Sequence, residues 1–188
     1  MSKLAVFFPG MGYTKEKPLL YFSSKMAADM GYECIFVEYH DLPDKIRGNK
    51  EKMLLAGDMA YEQSCDALQD VDFEYYEKVL FVGKSVGTII AAKYAKKHCP
   101  EARLVLYTPL AFTFEYAIKD GVAFIGDADP WSDLGQVKDL AAKGGVPLHI
   151  YPDCNHSLER KGNQLDNIDI LKNAMMLTYR FINQNDDI

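Results

Sequence analysis

Val79-Leu80-Phe81-Val82-Gly83-Lys84-Ser85-Val86-Gly87 is the stretch on which the reading of this chain turns. Val79–Val82 is a short, wholly apolar run, the pattern of a buried strand. Gly-x-Ser-x-Gly follows at once, and then a helical pattern of small residues, Thr88, Ala91 and Ala92 among them. A serine alcohol is a weak nucleophile at neutral pH and must project clear of the backbone beside a base. A sharp strand-to-helix turn projects it, provided that the positions two residues either side are almost without side chains. Gly83 and Gly87 meet that demand. The helix start also offers the Val86 N–H to a developing oxyanion. Five residues alone would equally describe a tight βα turn; the strand before and the helix after favour the functional reading.

Two rival glycine motifs fail on their residues. A phosphate-binding loop ending at Gly83-Lys84-Ser85 needs a further glycine where Lys78 stands, and a flexible loop where the strand runs. The dinucleotide fingerprint would start at Gly10-Met11-Gly12, but position 15 is Lys15.

Outward from the turn, strands and helices alternate. Leu4–Phe8, Cys34–Tyr39, Leu104–Tyr107, Val122–Ile125 and Leu148–Tyr151 are further apolar strand patterns. Lys17–Met30, Lys50–Gln69, Val86–Lys97, Asp133–Ala142 and Gln164–Asn183 carry helical periodicity, and His40–Asn49 is a polar loop. The order implies parallel pairing through βαβ crossovers, and the continuous apolar strands imply helices on both faces. The expectation is a single α/β domain over residues 1–188, a three-layer αβα sandwich on a mostly parallel sheet of about six strands.

Through this element order and the serine turn, nearly the whole chain resembles the α/β-hydrolase family, in a reduced version without the first two strands of the full sheet. The resemblance makes Ser85 the nucleophile. Four histidines are candidates for the base. His149 falls inside a strand, His98 at a helix end before Cys99-Pro100, and His40 at the end of the second strand. His156, in Pro152-Asp153-Cys154-Asn155-His156 between the last strand and the last helix, occupies the place of the family's base. The acid belongs at the carboxyl end of the strand between serine and histidine. The family's usual Gly-x-x-Asp selects Asp129 within Gly126-Asp127-Ala128-Asp129, with Asp127 in reserve and Asp153 third. Chain order is then Ser85, Asp129, His156, as the family has it. The loop after the first strand should give the second oxyanion donor. It departs from the family's His-Gly by placing Pro9 before Gly10, and the Met11 N–H is the expected partner of the Val86 N–H, with that of Gly12 as the alternative.

Only about a dozen residues separate the Leu104–Tyr107 strand from the next, too few for a helical lid. Tyr13, Phe112 and Trp131, with Phe114 and Tyr116, are therefore expected around an open, aromatic-edged site. Such a site suits a small-molecule substrate, an accessible acyl ester or thioester, and needs neither metal nor organic cofactor. An acyltransferase or amidase with the same triad, or a catalytically silent binding protein on the same fold, are the alternatives.

Composition narrows the partners. The 188 residues are 48% apolar and carry a formal charge of −6, enough for a core and unsuited to nucleic acid, which selects clustered Lys and Arg. Lys93, Lys96 and Lys97 fall at helical spacing as a solvated face. No apolar run approaches the roughly 18 residues of a membrane span. Leu4–Phe8 is shorter than a signal-peptide core. Cys34, Cys65, Cys99 and Cys154 lie far apart, without zinc spacing, and suit free thiols in a reducing compartment, with disulfides as the alternative that an even count allows. A cytoplasmic protein is the expectation.

Overall fold

The computed structural model describes residues 2–44 and 49–184. In chain order the elements are β1 (Lys3–Phe8), α1 (Pro18–Asp29), β2 (Glu33–Phe36), α2 (Lys50–Leu68), β3 (Lys78–Lys84) and α3 (Val86–His98). There follow β4 (Arg103–Tyr107), β5 (Gly121–Gly126), α4 (Leu134–Lys143), β6 (Leu148–Tyr151) and α5 (Gln164–Asn183). The six strands form one parallel sheet in the order β2-β1-β3-β4-β5-β6.

Why the strands read as unbroken apolar runs is visible in where their side chains go. Successive residues of a strand point to opposite faces. Leu4, Val6 and Phe8 of β1, with Val79 and Phe81 of β3, join a core with Ala60 and Tyr61 of α2 and Ile90 and Tyr94 of α3. Ala5, Phe7, Leu80 and Val82 enter a second core, with Leu19, Leu20 and Ala27 of α1 and Ala174, Phe181 and Ile182 of α5. A sheet apolar on both faces is stable only between helices, which is the expected three-layer arrangement. The starts of α2, α4 and α5 are closed by side chains that accept the first free N–H groups: Asn49 from Lys52, Asp133 from Gln136 and Asn163 from Asp166.

The topology creates the crevice that matters. From β1 the chain moves outward to β2, then returns past β1 to β3 and continues the other way through β4, β5 and β6. The segments leaving the carboxyl ends of β1 and β3 therefore diverge, and such a switch point is where ligands bind in open α/β sheets.

Some boundaries differ from expectation. The second strand stops at Phe36 rather than Tyr39. Val37 N–H still donates to Phe7 O at 3.0 Å. By His40 the backbone has turned to the Gln63 side chain, which accepts from its N–H at 2.8 Å and donates to its carbonyl at 2.9 Å. Residues 45–48 of the expected loop His40–Asn49 lie outside the described residues. Two 3-10 turns, Phe73–Tyr75 and Ala111–Glu115, were not expected from the sequence; segments of three and five residues carry too little periodicity to be seen. The four cysteines are free.

Candidate active site

Ser85 follows β3 as the N-cap residue of α3, at φ 57° and ψ −123°, a backbone conformation that an L residue adopts only when its surroundings impose it. Its N–H donates to Tyr107 O at 2.9 Å, and its carbonyl accepts from the Thr88 N–H at 2.9 Å and the Thr88 hydroxyl at 2.6 Å. The Thr88 hydroxyl also bonds Thr113 at 2.7 Å, which ties the turn to the 3-10 segment Ala111–Glu115. The flanking glycines are required by contact. A methyl group on Gly87 would lie 2.1 Å from Phe8 O, and one on Gly83 would lie 2.7 Å from the Thr88 Cα.

That turn places the Ser85 Oγ 2.7 Å from His156 Nε2, and His156 Nδ1 lies 2.7 Å from Asp129 Oδ2. With the imidazole neutral, Nδ1–H donates to the carboxylate and Nε2 accepts from the serine hydroxyl. The other Asp129 oxygen accepts from the Trp131 N–H at 2.9 Å, and the carboxylate side chain is 1% exposed. The histidine loop is held from several directions. Asn155 Oδ1 accepts from the N–H groups of Ser157 and Glu159, Arg160 Nε donates to Pro152 O, and Asn167 of α5 makes a reciprocal pair with the Arg160 backbone. Asp127 Oδ1 accepts from the Asp153 N–H at 2.6 Å. The structure thus brings Ser85, His156 and Asp129 together. It gives Asp127 and Asp153 to the loop that carries the histidine.

The backbone expected to supply oxyanion donors lies where β1 and β3 diverge. Gly10 packs against Lys84 O and the Ser85 Cβ, and its N–H and carbonyl pair with Tyr13. Met11 and Val86 both line the cleft beside Ser85. Val86 is the first residue of α3, so its N–H has no acceptor within the helix.

Lys84 is the feature that the sequence reading passed over. The two-residue alternation that sends Leu80 and Val82 into the α1–α5 core sends Lys84 the same way, and it is 1% exposed. Its Nζ sits 4.7 Å from the centroid of the Tyr13 ring. Burial lowers its pKa to about 7 against the opposing field of Asp129. Burial also lowers the His156 pKa. Asp129 opposes that shift through its hydrogen bond, and the Lys84 charge adds to it. Both effects favour the neutral imidazole, the form able to accept the Ser85 proton.

The cleft at Ser85 and His156 encloses about 370 Å³. Phe112 and Trp131 border it, half-exposed, with the Trp131 ring 5.8 Å from that of His156. Tyr13, also expected there, is not among the residues that line it. Its ring turns inward under Lys84, and its hydroxyl accepts from the Leu19 N–H at 3.1 Å. The other histidines have other surroundings. His149 stacks on Phe124, His98 lies against Tyr94 and Tyr61, and His40 faces a separate polar hollow with Glu38 and Thr14. Among the described residues, no group of three or more His, Cys, Asp or Glu side chains is placed to hold a metal ion. Nor is any helix long and apolar enough to cross a membrane.

Neither a family profile nor a curated protein matches the chain by sequence. Solved structures do match its fold. A lidless α/β serine hydrolase from Xanthomonas campestris superimposes with a TM-score of 0.63 at 14% identity, over 96% of this chain and 83% of its own. An esterase from Pyrococcus furiosus gives 0.68 at 11% identity, over 97% and 83%. Est1E from Butyrivibrio proteoclasticus, with ferulic acid bound, gives 0.70 at 10% identity, over 99% and 90%. The chain has the α/β-hydrolase fold, in a reduced form of six parallel strands.

Proposed function

We propose that the protein is a serine hydrolase that cleaves acyl esters or thioesters through an acyl-enzyme. The observation that carries the reading is the unbroken relay from Asp129 Oδ2 through His156 to the Ser85 Oγ, each link 2.7 Å. The esterases and hydrolases among structures of like fold support it.

In this mechanism His156 Nε2 takes the hydroxyl proton as the Ser85 Oγ attacks the carbonyl carbon. The Met11 and Val86 N–H groups receive the charge that develops on the carbonyl oxygen. The imidazolium gives its proton to the departing oxygen or sulfur as the bond from carbon to it breaks. Water then enters, His156 takes one of its protons, and the acyl group leaves as a carboxylic acid with Ser85 restored. Asp129 holds the productive tautomer throughout. Between β4 and β5 the chain forms only the 3-10 segment Ala111–Glu115. Phe112 is 52% exposed at the cleft edge. Water therefore has access to the acyl-enzyme, which favours hydrolysis over transfer. The free thiols accord with a reducing compartment such as the cytoplasm.

Turnover of p-nitrophenyl butyrate by the purified protein tests the reading. Ser85→Ala should remove it while the circular dichroism spectrum stays that of the parent. Undiminished turnover in that variant rejects the mechanism.

A further inference from the structure

An absent side chain shapes the cleft beside Ser85. Met53, Leu54, Gly57 and Asp58 of α2 line it together, at the spacing of one helical stripe. Glycine is a poor residue inside a helix, because it costs backbone entropy and contributes no packing. At Gly57 nothing in the backbone requires it: φ is not positive, and a Cβ built there meets no atom within 4 Å. The absent side chain leaves open space facing Ile89 and Ile90 of α3, with Phe112 at the edge. Farther along α3 the lining becomes charged. Lys93 Nζ lies 3.8 Å from Asp58 Oδ1 and 4.0 Å from the centroid of the Tyr61 ring, so this lysine, expected on a solvated face, is part of the site wall.

Resting on the hydrolase reading, we propose that the groove between α2 and α3 holds the acyl chain, that it takes unbranched apolar acyl groups from hexanoyl to decanoyl, and that Gly57 provides its depth. The departing group must lie beside the imidazole that protonates it. The region that runs from Ser85 along Val86, Ile89 and Ile90 is thereby left to the acyl group. Apart from Glu115, Asp58 and Lys93 the lining there is mostly aliphatic and aromatic, so each methylene placed against it leaves water for apolar contact. The volume falls within the range of small-molecule sites. The Asp58–Lys93 pair limits the length, because a chain pressed against those charges would strip their water without replacing its hydrogen bonds.

A series of p-nitrophenyl esters from acetate to dodecanoate tests this, using the full chain, Gly57→Leu and Gly57→Phe. A fluorophosphonate probe of Ser85 accompanies each protein. In the parent, kcat/KM should climb by at least about tenfold from acetate to octanoate and fall again at dodecanoate. In both variants the order of acetate and octanoate should reverse, with Ser85 still labelled. Gly57→Leu, the better helix former, answers the question if the phenylalanine variant does not fold. A parent profile that is flat or declines with chain length overturns the proposal. So does a labelled, folded Gly57 variant that keeps the octanoate preference. If the parent labels at Ser85 but turns over no ester of the series, the acyl-groove proposal falls while the reactive serine stands. If Ser85 does not label in the folded parent, the hydrolase reading falls, and the proposal with it.

Discussion

Gly126 and Cys154 touch through their backbones: a methyl group on Gly126 would lie 2.0 Å from the Cys154 carbonyl oxygen. Gly126 ends β5 and leads to Asp129, while Cys154 lies two residues before His156. The Ala128 N–H donates to the same carbonyl at 3.1 Å. The segments that carry Asp129 and His156 are therefore held together by a backbone contact as well as by the hydrogen bond between the two side chains. Gly126→Ala should force the two loops apart, lowering stability by about 3 kcal/mol in urea unfolding. At temperatures where the variant stays folded, ester turnover should fall at least about a hundredfold, since small misplacements in a catalytic relay are costly. Near-parental values in both assays would show that the loops meet for another reason.

Two aspartates two residues apart should behave very differently. Asp129→Asn leaves the shape and removes the charge that faces His156, and kcat should drop by about 10⁴. Asp127 reaches only the Asp153 N–H among its described partners, so Asp127→Asn should hold kcat within about tenfold of the parent. Equal losses from the two changes would contradict the assignment of the acid.

Lys84 makes two pH responses predictable. Its ammonium lowers the His156 pKa, so Lys84→Met should move the acid limb of kcat/KM to higher pH. Stability responds as well. The Lys84 pKa is about 7 in the folded chain against an ordinary value of 10.5. Between those values the unfolded state binds the more protons, so stability rises with pH across that window, and the cost of the buried charge is fully present below it. Over pH 7 to pH 9 the parent should gain ~2 kcal/mol relative to Lys84→Met. Parallel stability curves for the two proteins would place the charge in a wetter environment than the structure gives it.

The backbone strain at Ser85 can be read from stability alone. Neither Ser85→Ala nor Ser85→Gly can turn over ester, but only glycine relaxes at φ 57°. Ser85→Gly should exceed Ser85→Ala by about 1 kcal/mol in thermal or urea unfolding. Equal stability would mean that the turn carries no strain.

Much of this was legible along the chain, for identifiable reasons. Strands buried on both faces leave unbroken apolar runs, and Gly83 and Gly87 mark where a helix backbone must pass close to a strand. The serine, the histidine loop and the Gly126-to-Asp129 spacing could be found because each is local. What the sequence hid depends on contacts between distant segments. Lys84 looked like the free position of the motif, although counting alternate residues on from Leu80 and Val82 would have sent it inward. Tyr13 looked like an aromatic at the site rim, but its ring serves Lys84 and its hydroxyl the start of α1. Thr113 stood among aromatics with no sign that it would meet Thr88. Asn155 and Asn167 bond backbone groups of the histidine loop, in patterns that short polar residues do not announce. Gly57 was one residue of a helical pattern until its empty surroundings were seen.

Peptide mapping by mass spectrometry, after a fluorophosphonate is offered to the folded protein, asks whether Ser85 is the nucleophile. One covalent phosphonyl adduct should form, on Ser85, absent in Ser85→Ala and far slower to form in His156→Ala. Folded protein that takes up no adduct at Ser85, or labels equally fast without the imidazole, would contradict it.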